Sequence, residues 1–81
     1  MDIKVLGSGC ANCQKLERIA REVVQELGIE ATVEKVTDIK EIAKAGVLIT
    51  PGLMLDGEVK ISGKVPSKAE VIQIITTAMA K

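Results

Sequence analysis

An α/β architecture, a mixed four-stranded sheet with helices on both faces, follows from three features of the sequence. A strand-helix-strand run near the start is long enough to require parallel pairing through a right-handed crossover. Asp56-Gly57 between two apolar runs marks a two-residue hairpin. Apolar stripes of helical spacing follow Asn12 and Ser67. The order of elements is strand, helix, strand, helix, strand, strand, helix, βαβαββα, without internal repeats or low-complexity tracts.

Ile3, Val5 and Leu6 form a short β-prone run that halts at Gly7-Ser8-Gly9, a flexible turn. From Asn12 to Leu27 the apolar residues Leu16, Ile19, Ala20, Val23, Val24 and Leu27 alternate spacings of three and one, which is a helix with one buried stripe. Gly28 ends it. On its outer face Glu17 and Arg21 make a favourable pair four residues apart, and Arg18 with Glu22 the weaker reverse order. Ala31, Val33 and Val36, interleaved with Thr32, Glu34 and Lys35, indicate the second strand.

Asp38 followed by Glu41 is a capping-box pattern, with Ile39, Ile42 and Ala43 expected on the buried side of a short helix that stops at Gly46. Leu53-Met54-Leu55 and Val59-Lys60-Ile61 are the hairpin strands. Ser67 with Glu70 opens the last helix, Pro66 and Val71 are placed to staple it, and Val71, Ile72, Ile74, Ile75, Ala78 and Met79 supply its buried face.

At 81 residues the chain reads as a single domain spanning 1–81. Its 47% apolar and 27% charged composition suits a folded chain rather than a disordered one. Eleven Lys and Arg residues balance eleven Asp and Glu, so no net field steers it toward nucleic acid or an anionic membrane. Without Phe, Tyr or Trp there is no platform on which bases can stack, and the core must be aliphatic. The longest apolar runs, around Val47 to Ile49 and Val71 to Ile75, are far below the roughly 18 residues needed to span a bilayer. The first residues lack the features of a secretory signal, so a cytoplasmic location is expected, with neither nucleic acid nor membrane as partner. Histidine is absent, which removes the usual general base and the commonest metal ligand.

Reactive groups are concentrated in Cys10-Ala11-Asn12-Cys13, between the first strand and the first helix. There the unsatisfied N–H groups and positive dipole end of the helix favour a thiolate, so the Cys10 pKa should fall. Two cysteines three apart occupy neighbouring sites of one helical turn, the first outermost and the second toward the body, as an attacking and a resolving thiol require. A purely structural staple is the plain alternative. A bridge closing about four residues restricts the unfolded chain by only about 2 kcal/mol, against nearly 5 kcal/mol for a loop of about a hundred. In a reducing cytosol such a pair is more often redox-active or metal-binding.

Other motifs carry less. Gly7-x-Gly9 lacks the further glycines of a dinucleotide loop and the Gly-Lys of a phosphate loop. Met1, Met54 and Met79 show no ligand spacing, and Lys15, one turn from the cysteines, reads as solvated.

Gly9-Cys10-Ala11-Asn12-Cys13 at a strand-helix junction, Thr50-Pro51 just before a hairpin and Gly63 before the last helix resemble the thioredoxin-like family. The likeness is closest to the short thioredoxin- or glutaredoxin-like small redox-active disulfide proteins of archaea and bacteria, and it covers nearly the whole chain. It implies a sheet of order 2-1-3-4 with the third strand antiparallel, and a cis proline, here Thr50-Pro51, beside the active cysteines. It further implies a small thiol-disulfide oxidoreductase that reduces protein disulfides, with Cys10 and Cys13 as the catalytic pair and Thr50, Pro51, Ala11, Asn12 and Gly63 as substrate-binding residues. Implied partners are a disulfide-containing protein substrate and a thioredoxin-reductase-like or small-thiol electron donor. No flavin or nicotinamide site is visible in the sequence, so no cofactor is expected.

The chain departs from larger relatives in lacking the Trp before the first cysteine, the Gly-Pro dipeptide between the cysteines, and the Pro-Tyr dipeptide of many glutaredoxins. Two other classes use the same residues. A Cu(I) or other soft-metal carrier would bind through the two thiolates, although Ser8 stands where that family commonly has Met and the expected order here ends in a helix. A zinc site needs four ligands, hence a dimer sharing four thiolates. A binding module would use the cysteines only to dock a partner.

Overall fold

Alternating aliphatic residues dictate the sheet, and the computed structural model, which describes residues 1–7, 11–47 and 49–80, follows the expected order. The elements are β1 (Asp2–Leu6), α1 (Ala11–Leu27), β2 (Thr32–Val36), α2 (Ile39–Lys44), β3 (Gly52–Leu55), β4 (Glu58–Ser62) and α3 (Lys68–Met79). They form a sheet of order β2-β1-β3-β4. β1 pairs in parallel with β2, Ile3 opposite Val33, and antiparallel with β3, Ile3 opposite Leu55. This is the 2-1-3-4 arrangement that the resemblance implies.

Side chains on successive strand residues point to opposite faces, so β1 divides the core in two. Ile3 and Val5 join Leu53, Leu55, Leu16, Ala20, Val23, Val71 and Ile75 in the larger cluster, which places α1 and α3 on one face. Leu6 joins Ile42 and Val47 in the smaller one, which places α2 on the other. β4 changes face partway. Leu53 lies opposite Ile61 and Met54 opposite Val59, so Lys60 is an extra residue in the ladder. That bulge sends Ile61 into the larger cluster and Val59 toward the smaller, although the two lie only two positions apart in the strand.

The ends of the elements obey local rules. Gly28 adopts φ +62° and donates its N–H to Val24 O at 3.1 Å, closing α1. Asp56 and Gly57 take φ of 48° and 84°, as a tight two-residue hairpin turn requires. Ser67 caps α3 by accepting from Glu70 N at 3.2 Å, and Pro66 and Val71 are both buried, as a staple demands. Asp38 caps α2 by accepting from Lys40 N at 2.9 Å. The Glu41 carboxylate turns to Lys44 instead of completing a capping box.

Two expectations about buried faces are corrected. Ile39 is 74% exposed and Ala43 is exposed, leaving Ile42 as the buried residue of α2. A six-residue helix makes fewer than two turns, so one side chain reaches the sheet. Met79 is half exposed because it ends α3, one turn beyond Ile75, the last buried residue of that helix. On the surface the Glu17–Arg21 pair forms at 2.9 Å. Arg18 and Glu22 do not pair; Glu22 lies near Lys68, which also binds Glu26 and thereby links α1 to α3. The hydrogen bond to Glu26 raises the Lys68 pKa.

Candidate functional site

The buried stripe of α1 runs Cys13, Leu16, Ala20, Val23, spacings of three and four that keep one face against the sheet. Cys13 therefore lies at the head of the core stripe, in the first turn of the helix, and is only 3% exposed. It is disulfide-bonded. Ala11 and Asn12, which precede it, are exposed. Among the described residues no acidic side chain stands in this first turn, where the positive end of the helix dipole lies. Cys10, the expected attacking thiol, lies outside the described residues, as do Ser8 and Gly9.

Gly7 closes the site from below. Its N–H continues the sheet pairing past β1 by donating to Val36 O at 2.9 Å. A methyl group placed on Gly7 would overlap the Cys13 Sγ and lie 2.9 Å from the Cys13 Cβ and 3.9 Å from the Thr50 Cβ. The end of β1, the start of α1 and the turn before β3 thus meet around the space beside Gly7.

That turn contains the Thr50–Pro51 peptide bond, which is cis, as the resemblance implies. Pro51 is buried and Thr50 half-buried. Two bonds from the end of β4 hold the turn: Gly63 N–H donates to Pro51 O at 2.9 Å, and Ser62 Oγ donates to Ile49 O at 3.4 Å. Gly63 has φ +79°, and a Cβ there would sit 3.1 Å from Ile49 Cγ2. Ile49 itself is 65% exposed, an apolar side chain beside the site.

Of the residues singled out in the sequence, the fold brings Cys13 and Thr50 together around Gly7 and joins Pro51 to Gly63 by a hydrogen bond. Ala11 and Asn12 present themselves to solvent on the adjacent turn. Sequence reasoning missed Gly7, taken as a flexible turn, and Ile49. Neither carries a motif; the position of each matters only once α1 and the proline turn have packed. Among the described residues no group of three His, Cys, Asp or Glu side chains converges on a point where a metal ion would fit.

A βαβαββα fold that sets a cysteine into its core beside a cis X-Pro turn defines the thioredoxin-like class of α/β proteins. The thioredoxin domain model matches residues 1–76, and the chain belongs to that family of thiol-disulfide oxidoreductases. It is 51% identical over 76 residues to a thioredoxin of Methanothermobacter thermautotrophicus, covering 94% of this chain and 99% of the relative. It is 41% identical over 69 residues to a thioredoxin of Methanocaldococcus jannaschii, covering 85% of this chain and 79% of that one. No helix among the described residues is long and apolar enough to cross a membrane.

Proposed function

We propose that this protein reduces protein disulfides by cycling Cys10 and Cys13 between dithiol and disulfide. One observation carries the reading: Cys13 is disulfide-bonded and almost wholly buried at the first turn of α1, against Gly7. A thiol so enclosed is a poor target for an outside disulfide and well placed to attack a neighbour within the chain. The preceding cysteine is then the nucleophile. α1 begins at Ala11, so the positive end of its dipole favours the thiolate at Cys10.

The Cys10 thiolate attacks one sulfur of the substrate disulfide, forming a mixed disulfide and releasing the other substrate sulfur as a thiolate. Cys13, losing its proton, attacks the Cys10 sulfur and displaces the second substrate thiolate. Two electrons pass to the substrate, which ends with two thiols after protonation, and the protein ends with one disulfide. A thioredoxin-reductase-like protein or a small thiol supplies two electrons to restore the dithiol. The exposed Ala11 and Asn12 and the half-buried Thr50, with Pro51 and Gly63 holding the turn, form the platform on which an extended substrate segment aligns. A reducing cytoplasm is the compartment that suits such a cycle.

The test is the reaction of the reduced protein with a symmetrical aromatic disulfide followed by absorbance. Release of two aromatic thiols per chain supports the cycle; reaction no faster than that of a free cysteine overturns it. The rival reading, a Cu(I) carrier using the same two sulfurs, would instead show retention of Cu(I) against a competing chelator without disulfide turnover.

A further inference from the structure

Several glycines of this chain serve the backbone. Gly28, Gly46 and Gly57 have φ of 62°, 87° and 84°, and a Cβ on any of them would meet nothing within 4 Å. Gly7 is the reverse case. Its φ lies outside the left-handed range, so any residue tolerates its backbone, but the space a side chain would fill is taken by Cys13 Sγ and Cβ. Its N–H is fixed to Val36 O, and the residue is buried, so the β1 end has little room to give way.

We propose that Gly7 is a positioning residue for thiol-disulfide exchange, in which the missing side chain forms the pocket that holds the Cys13 sulfur against the end of β1. This rests on the reading of Cys13 as the resolving thiol. With the pocket open, the sulfur is shielded from outside reagents and held within the first turn of α1, where its reachable target is the sulfur at Cys10. A methyl group at Gly7 must push that sulfur outward or lift the start of α1 from the sheet. Either change moves the attacking atom by about an ångström, enough to slow an aligned displacement about a hundredfold. The first attack, made by Cys10 on the substrate, does not use this pocket.

The experiment compares the native protein with Gly7→Ala, each fully reduced and mixed with the aromatic disulfide. Release of the first aromatic thiol should keep its rate, while release of the second slows about ten- to a hundredfold and the mixed disulfide accumulates in mass spectra. An unchanged second phase overturns the proposal. A second measurement reads the pocket without catalysis. The fall in urea midpoint caused by Gly7→Ala is measured in the reduced native background and in Cys13→Ala, where the sulfur is gone. A smaller fall in Cys13→Ala supports the overlap; an equal fall, or failure of both Gly7→Ala variants to fold, overturns it. Should the native protein show no second phase, the exchange cycle fails, while this comparison still reports whether Gly7 and Cys13 share the space.

Discussion

The backbone N–H of Gly63 donates to the carbonyl of Pro51 at 2.9 Å, tying the end of β4 to the turn that lies beside Gly7 and Cys13. Neither residue is a chemical group in exchange, yet the bond couples the hairpin, a local structure, to a site assembled from the other end of the chain. Ser62 Oγ reinforces it through Ile49 O. The turn is thereby fixed relative to β4 before any substrate arrives.

Replacing Gly63 by Ala tests that coupling. A φ of +79° costs an L-residue about 1–2 kcal/mol, and the added Cβ meets Ile49 at 3.1 Å. Both the urea midpoint and the rate of first thiol release should fall. Gly57→Ala, with φ 84° and open space around it, should lose similar stability and keep the exchange rate.

Capture of the intermediate assigns the two sulfurs. Cys13→Ser should release one aromatic thiol and remain covalently attached to the second, visible as a stable adduct by mass. Cys10→Ser should react far more slowly, because the remaining thiol is 3% exposed. Faster reaction of Cys10→Ser than of Cys13→Ser would reverse the roles.

The core prediction contrasts two aliphatic residues. Leu53 is fully buried in the larger cluster, and Leu53→Ala should lower unfolding free energy by about 2–5 kcal/mol. Ile39 is 74% exposed, and Ile39→Ser should stay within about 0.5 kcal/mol of the native value. Denaturant unfolding followed by far-UV circular dichroism measures both.

Ser67→Ala removes the acceptor for Glu70 N and should cost about 1 kcal/mol. Ser67→Asp should recover it, since a carboxylate caps the same N–H and complements the helix dipole. Equal midpoints for the native protein and Ser67→Ala would show that the cap does not contribute.

Much of this architecture was legible in the residues because it is written in local physics. The spacing of Leu16, Ala20 and Val23, the Asp56-Gly57 turn, the Ser67 cap and the stop at Gly28 each depend on a few neighbours, and each stands where expected. The reading failed where the outcome depended on what lies opposite. Periodicity marks Ile39 and Ala43 as one side of a helix, but α2 is too short to set both against the sheet. Met79 continues the stripe of α3 past the point where there is core to meet. Nothing in Val59-Lys60-Ile61 announces that Lys60 bulges and sends its neighbours to opposite faces, since a bulge is a property of the pairing with β3.

The same division runs through the site. Cysteine spacing, the Thr-Pro pair and the glycine before α3 are chemical identities, visible in the chain before it folds. Placing Cys13 on the core stripe, clamping Pro51 from Gly63 and filling the space beside Gly7 with the Cys13 sulfur required α1, β1 and the proline turn to close on one another. Side-chain volume at residue 7 has meaning only after a sulfur from residue 13 arrives there, and that arrival is a matter of packing between elements distant from any local rule.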